Sequence, residues 1–148
     1  MMNQLGNDGL AGTMSILLVD GDFQSTVTLS RVFRELGLLD QLVISMDCTH
    51  ALARLREPYG VRPGLILLDL DMPGTSSFDM LRALKADAAS SLIPVVVLAT
   101  SNQAQDVALC YELGAAGYML KSDDDTALVE KMEAVYSYWA MSKVPVAG

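Results

Sequence analysis

The sequence predicts an α/β fold in which helices cover both faces of a doubly wound, five-stranded parallel sheet. Its 148 residues are enough for about one domain, and 51% apolar against 19% charged residues supports a packed core. Five short apolar runs alternate with five segments of helical periodicity. Strands that are apolar almost throughout, with helices between them, are typical of a buried parallel sheet. The predicted architecture is therefore (βα)5.

The first two units are marked by their apolar runs and by the residues that bound each helix. Residues 15–19 and 42–46 are predicted strands. Asp22 is a suitable N-cap for the first helix and Gly37 a suitable C-cap, while Pro58 ends the second helix. The apolar positions of these two helices are Val27, Phe33, Leu36, Leu52 and Leu55.

The last three units follow the same pattern. Residues 65–68, 94–99 and 117–120 are predicted strands. Gly114 is a C-cap for the fourth helix, and the run 122–125 lies where the last helix is expected to begin. The apolar positions of these helices are Phe78, Leu81, Leu84, Val107, Cys110, Leu113, Leu128, Met132, Val135 and Trp139.

Charge and terminal sequence exclude several classes of protein. The formal net charge of -8 would repel a phosphate backbone, so no direct nucleic-acid partner is expected. No apolar run is long enough for a membrane helix, and residues 1–13 lack the features of a signal peptide, so we expect a cytoplasmic protein. Residues 1–13 are predicted to be a flexible leader, 14–141 the folded domain and 142–148 a tail.

The cysteines and the single histidine carry no predicted chemistry. Cys48 and Cys110 lie in apolar periodic segments without CxxC spacing, so we interpret them as buried free thiols. His50 is interpreted as a surface residue at the start of the second helix.

Polar residues follow four of the five predicted strands directly. The carboxyl ends of parallel strands form the ligand-binding edge of such a sheet. Carboxylates gathered there repel one another unless a cation is present, and Mg²⁺ favours oxygen ligands of this kind. A hydroxyl and a lysine at the same edge suit an incoming phosphoryl group. The residues concerned are Asp20, Asp22, Asp69, Asp71, Thr100, Ser101 and Lys121.

The segments 16–22, 65–74, 94–101 and 113–122 resemble the receiver domain of two-component response regulators. The resemblance runs from about residue 15 to residue 141 and implies the flavodoxin-like strand order 2-1-3-4-5. Residues 111–121 and 136–139 are most similar to the small stand-alone receivers that accompany bacterial phytochromes.

The resemblance also implies a function in phosphorelay signalling, without enzymatic turnover beyond self-phosphorylation and self-dephosphorylation. Asp69 matches the residue that accepts a phosphoryl group from a sensor histidine kinase with Mg²⁺. The signal would then pass to a downstream protein or a histidine phosphotransfer protein. The other implied site residues are Asp20 and the backbone carbonyl of Asp71 as metal ligands, and Thr100, Ser101, Lys121 and Tyr118 as the phosphoryl-binding and switch residues.

Three positions depart from the family pattern. Gly21 replaces the second residue of an acidic pair, so one magnesium ligand is missing, and Asp22 is a candidate substitute. Ser122 replaces a proline that usually follows a cis bond, which a serine would adopt only at about 2.5–4 kcal/mol. The segment 74–78 replaces the usual Asp-Gly turn.

The Asp71 side chain adds a negative charge that we expect to tune the rate of phosphoryl transfer or loss.

Two alternatives remain open. The departures at Gly21 and Ser122 favour a receiver-like interaction module that is never phosphorylated. The segment from Asp69 to Asp71 also resembles the DxD motif of haloacid-dehalogenase-type phosphatases, although two βα units precede it here.

The last helix and the composition of the chain indicate how the protein acts. We expect no output domain after residue 141, and we therefore expect the protein to act through partners. The helix carries more aromatic surface than one amphipathic face easily buries, which predicts a homodimer through Tyr136, Tyr138 and Trp139.

Overall fold

A computed structural model describes residues 14–60, 62–72 and 77–145. The predicted leader at 1–13 and parts of the 74–78 turn and of the tail lie outside the described residues. Strands and helices alternate along the chain as predicted. The elements are β1 (Ile16–Val19), α1 (Phe23–Glu35), β2 (Leu42–Ser45), α2 (Cys48–Leu55), β3 (Leu65–Asp69), α3 (Ser77–Ala86), β4 (Val95–Ala99), α4 (Ala104–Glu112), β5 (Gly117–Leu120) and α5 (Asp125–Met141).

The five strands form one parallel sheet of order β2-β1-β3-β4-β5, which confirms the predicted fold class. The register pairs Val19 with Leu68 and Asp69 with Leu98. The ends of β1, β3 and β4 therefore lie side by side at the centre of one sheet edge. Any residue that directly follows these strands is close to the others.

The sheet has an apolar core on each face. Alternate residues of β3 face opposite sides, so that Ile66 and Leu68 pack on one face and Leu65 and Leu67 on the other. Helices α2, α3 and α4 cover the first face, and α1 and α5 cover the second. Burying each leucine side chain contributes about 1.5–3 kcal/mol, so the leucines of β3 stabilise both cores.

The predicted helix boundaries are confirmed at the capping residues. Asp22 is the N-cap of α1 and accepts the backbone N–H of Ser25 at 3.2 Å. Gly37 and Gly114 follow α1 and α4 with φ angles of 74° and 105°, a backbone conformation that favours glycine. The structure adds a short 3-10 turn at Leu39–Gln41 that the sequence pattern does not predict.

The outer strands of the sheet each receive a basic side chain. Arg54 of α2 donates from Nη1 to the carbonyl of Ile44 at 3.0 Å and to Oγ of Ser45 at 3.1 Å. Lys131 of α5 donates to the carbonyl of Leu120 at 2.8 Å. A backbone acceptor on β2 and one on β5 thus have side-chain partners.

The assignment of Tyr136 to an exposed dimer face is wrong. Tyr136 is 5% exposed because it lies one helical turn from Met132, which also points into the core. Tyr138 is 61% exposed, and Trp139 is partly buried against the same core. The aromatic surface of α5 therefore comes from Tyr138 and from part of Trp139.

Other predictions about single residues are confirmed. Cys48 and Cys110 are buried free thiols, and His50 is exposed. Burial, and secondarily the negative charge of Asp47, raises the pKa of the Cys48 thiol to about 11. Within the described ranges, no helix is both long and apolar enough to cross a membrane.

Candidate functional site

An open cleft lies where β1, β3, β4 and β5 end. It is lined by Gly21, Asp22, Asp69, Asp71, Thr100 and Lys121. The parallel register brings these residues together from four loops that are distant in sequence. Of the residues predicted at this edge, the cleft lining contains all but Asp20, which is fully buried, and Ser101.

Asp69, the last residue of β3, is the buried centre of the cleft. Its Oδ1 accepts Nζ of Lys121 at 2.7 Å and the backbone N–H of Asp71 at 3.0 Å. Its Oδ2 is buried and has no hydrogen-bond partner among the residues that the structure describes. An unpartnered carboxylate oxygen is unfavourable in a folded protein, and it is the kind of atom that a cation or an incoming electrophile would engage.

Asp20, directly after β1, is also fully buried. Its Oδ1 accepts the backbone N–H of Asp22 at 3.0 Å, and its Oδ2 accepts the hydroxyl of Ser25. Ser25 lies in the first turn of α1, and the sequence analysis did not single it out. Its hydroxyl fixes the Asp20 carboxylate beside Asp69.

The electrostatics of the cleft are dominated by carboxylates. Burial raises the pKa of Asp69, the negative charge of Asp20 adds to the increase, and the hydrogen bonds from Lys121 and Asp71 oppose it. Burial alone would lower the pKa of Lys121, but its hydrogen bond to Asp69 and the charges of Asp69, Asp20 and Asp71 raise it. Lys121 is therefore a permanent cation at neutral pH, and a single ammonium faces three carboxyl groups.

The donor set fits Mg²⁺ through oxygen atoms alone. The orphaned Oδ2 of Asp69 and the neighbouring Asp20 carboxylate provide one or two carboxylate ligands, as Mg²⁺ sites typically do. Across the described ranges, no three carboxylate, imidazole or thiol side chains converge as a ligand set. Asp22 does not join Asp20 and Asp69 in such a set, because its Oδ2 caps α1.

The two unusual positions, Gly21 and Ser122, have a clear structural setting. A Cβ atom at Gly21 would lie 3.0 Å from the carbonyl oxygen of Met46, so this loop is shaped around glycine. The peptide bond between Lys121 and Ser122 is trans, and Lys121 nevertheless reaches Asp69. Serine at 122 therefore does not displace the lysine from the cleft.

The loop after β4 carries the remaining predicted residues. The backbone N–H of Thr100 donates to Oδ2 of Asp71 at 3.0 Å, a contact that spacing alone does not reveal. Ser101 points away from the cleft, since its hydroxyl donates to Asp106 at 2.6 Å at the start of α4. The Tyr118 hydroxyl donates to the carbonyl of Ser101 at 2.8 Å, and burial raises the pKa of Tyr118.

The phosphatase alternative is not supported by the topology. Asp69 ends β3, and β1 and β2 precede it in the same sheet. The DxD motif of those enzymes is expected on their first strand.

Comparison with known proteins agrees with the geometry. The profile of the response regulator receiver domain matches residues 16–133. The DNA-binding response regulator MtrA of Mycobacterium tuberculosis is 40% identical over 119 residues, which cover 80% of this chain and 49% of MtrA. The chain thus spans about half the length of the MtrA proteins that it matches.

Other relatives match over most of their length. Response regulator Rcp1 of Synechocystis is 32% identical over 128 residues, which cover 84% of this chain and 87% of Rcp1. The crystal structure of its Mn²⁺-bound form superposes with a TM-score of 0.75 at 30% identity, covering 90% of this chain and 99% of that one. The phosphorylated cyanobacterial phytochrome response regulator RcpA gives a TM-score of 0.80 at 28% identity, with the same coverage.

The profile match covers more than half of the chain, and Rcp1 matches 84% of it. The cleft also brings together Asp69, Thr100 and Lys121, the residues that the motifs predict there. The chain belongs to the response regulator receiver domain family.

Proposed function

We propose that this receiver accepts a phosphoryl group on Asp69 from a sensor histidine kinase, with Mg²⁺, and signals to a partner through a conformational switch. The observation that carries the proposal is the buried carboxylate of Asp69, which has one oxygen bound to Lys121 and the other without a partner among the described residues. Such an oxygen is free to act as a nucleophile.

Each neighbouring residue has a role in this proposal. Asp20, Asp69 and the backbone carbonyl of Asp71 would hold Mg²⁺. Bound there, the ion would neutralise charge on the transferred phosphoryl group. Lys121 would pair with one phosphoryl oxygen, and the Thr100 hydroxyl would bind another. The phosphoryl group, which carries about two negative charges, would then draw the loop after β4 toward the cleft.

The relatives support the choice of cofactor and kinase. Rcp1 has been solved with Mn²⁺ bound, and RcpA is described as a phosphorylated phytochrome response regulator. We therefore propose a phytochrome-type histidine kinase as the donor, acting in the cytoplasm where ATP is available. A downstream protein or a histidine phosphotransfer protein would receive the signal.

The decisive experiment is intact mass after incubation with acetyl phosphate and Mg²⁺. We expect an adduct of one phosphoryl group that disappears in Asp69→Asn and in excess chelator. Asp69→Asn is a matched control because it preserves the shape of the side chain and the acceptor of the Lys121 hydrogen bond.

A phosphorylation-independent interaction module is the second candidate, and Gly21 is the observation that favours it. With glycine at this position, the cleft has one carboxylate fewer than the family pattern. The absence of an adduct together with the absence of Mg²⁺ binding would favour this candidate over the first.

We also propose that the protein forms a homodimer through the exposed part of α5. Tyr138 and Met141 are 61% and 72% exposed and lie three residues apart on one helix face. The rings of Tyr138 and Trp139 meet edge to face with centroids 4.8 Å apart, so they present one apolar patch.

A further inference from the structure

The carboxylate of Asp71 bridges the loops that follow β3 and β4. Its Oδ2 accepts the backbone N–H of Thr100 at 3.0 Å and lies 3.4 Å from Nζ of Lys121. The same ammonium group lies 2.7 Å from Asp69. One carboxylate oxygen of Asp71 thus faces two donors, the Thr100 N–H and the Lys121 ammonium group.

These donors lie where a group attached to Asp69 would need them. A phosphoryl oxygen on Asp69 would be close to Lys121, because Lys121 already contacts the Asp69 carboxylate. The Asp71 carboxylate lies 3.4 Å from the same ammonium group, so it competes with the phosphoryl oxygens for the same donor. The negative charges of the Asp71 carboxylate and of a phosphoryl group on Asp69 would also repel one another.

The two aspartates differ in their freedom to move. The side chain of Asp69 is 1% exposed, whereas that of Asp71 is 33% exposed. Asp71 can therefore turn toward water and keep its charge solvated, while Asp69 has no such path. When the two compete for Lys121, Asp71 is the one that leaves.

We propose that the Asp71 carboxylate is an internal placeholder for the phosphoryl group. In the unphosphorylated protein it occupies Lys121 and the Thr100 N–H, and it must be displaced when Asp69 becomes phosphorylated. This inference rests on the proposed function of Asp69 and adds a residue that controls the rate of acceptance. Displacement also releases Thr100, so that Asp71 links the chemistry at Asp69 to the loop after β4.

The chemical step shows why Asp71 slows acceptance. With acetyl phosphate, an oxygen of Asp69 forms a new bond to phosphorus. The bond between phosphorus and the acetyl oxygen breaks, and acetate leaves with the electron pair. The incoming phosphoryl group carries about two negative charges. It is repelled by the Asp71 carboxylate, which is close to Lys121, until the Asp71 side chain moves away.

Three variants separate the charge of Asp71 from its hydrogen bond. Asp71→Asn removes the charge and keeps an oxygen that can accept the Thr100 N–H, whereas Asp71→Ala removes both. Asp40→Asn changes the net charge equally at the opposite end of the sheet, in the turn before β2. All three leave the backbone carbonyl of residue 71 and the Asp69 carboxylate in place.

The test measures the rate constant of adduct formation with acetyl phosphate and Mg²⁺ by intact mass, at two ionic strengths. We expect Asp71→Asn and Asp71→Ala to react about tenfold faster than the wild type, as expected from removal of one nearby charge, and Asp40→Asn to react at the wild-type rate. Added salt should accelerate the wild type more than Asp71→Asn, because salt screens the repulsion. Hydrogen exchange of the Thr100 amide should quicken in Asp71→Ala and stay slow in Asp71→Asn.

The outcomes distinguish this inference from the proposed function. Equal or lower rates in both Asp71 variants, with a wild-type adduct that requires Asp69, would overturn the inference and leave the function intact. An adduct in Asp71→Asn but none in the wild type would overturn the proposed function of the wild-type protein, although it would show that the Asp71 carboxylate opposes acceptance at Asp69. No adduct in any of the proteins would overturn the function and the inference with it.

Discussion

Nζ of Lys121 lies 2.7 Å from Oδ1 of Asp69, while Oδ2 of Asp69 is buried without a partner in the described part of the chain. The carboxylate is therefore only partly compensated, and its charge destabilises the folded state. We predict that Asp69→Asn raises the free energy of unfolding by about 1–2 kcal/mol in metal-free buffer, because it removes a poorly compensated buried charge. Urea denaturation followed by circular dichroism measures this difference.

The same pair of proteins tests metal binding. A ligand that binds only the folded state stabilises it in proportion to the logarithm of its concentration. Millimolar-range Mg²⁺ should therefore stabilise the wild type more than Asp69→Asn and reduce the difference between them. An unchanged difference across a Mg²⁺ titration would contradict a metal site that uses Asp69.

Gly21→Asp tests whether the missing acidic residue limits metal affinity. The new carboxylate would stand in the cleft beside Asp69, and its Cβ would require a small shift of the Met46 carbonyl. We predict Mg²⁺ binding about tenfold tighter than in the wild type, because one further charge faces the cation. Gly21→Asn is the matched control, since it adds the same bulk without the charge. Isothermal titration of the three proteins gives the comparison, and equal affinities for Asp and Asn would refute the charge argument.

Substitutions of the aromatic residues of α5 test core packing and dimer formation separately. Tyr136→Ala opens a cavity in the core and should lower the free energy of unfolding by about 3–5 kcal/mol. Tyr138→Ala removes an exposed ring and should change stability by only about 0.5 kcal/mol. If α5 forms the dimer, light scattering should show a dimeric wild type and a shift of Tyr138→Ala toward monomer. A monomeric wild type, or a Tyr138→Ala protein with the mass of a dimer, would rule out this interface.

The raised pKa of the Cys48 thiol predicts that the folded protein loses stability in alkaline solution. Its pKa is raised in the folded protein to about 11, from an ordinary value near 9. The unfolded chain loses the thiol proton first, so the stabilisation is complete below about pH 9 and disappears as the pH rises toward 11. The free energy of unfolding should therefore fall less steeply in Cys48→Ala than in the wild type over this interval. Parallel slopes for the two proteins would show that the thiol pKa is not raised.

The alternation of strands and helices was predictable because each strand is a short apolar run and each helix carries its own boundary residues. Asp22, Gly37 and Gly114 act at the predicted positions. The gathering of Asp69, Thr100 and Lys121 was also predictable, since the ends of parallel strands meet at one edge.

Side-chain direction was less predictable than position. The hydroxyl of Ser101 turns to Asp106 because α4 begins nearby, and the choice between that helix and the cleft depends on the path of the loop. Tyr136 is buried because it lies one helical turn after Met132 on the core face of α5, whereas the predicted positions Val135 and Trp139 are only partly buried. The contact between Asp71 and Thr100 joins residues 29 positions apart, so no local pattern indicates it.

The basic side chains on the two outer strands have a consequence for the behaviour of the protein at high concentration. Exposed strand edges are templates onto which another copy can add a strand, and natural proteins often block them with charge. Arg54 of α2 and Lys131 of α5 each donate to an edge-strand carbonyl, of Ile44 on β2 and of Leu120 on β5, that such an added strand would need. A charged residue at each margin also makes insertion of an apolar strand unfavourable. Growth of the sheet into intermolecular aggregates is thereby opposed on both sides.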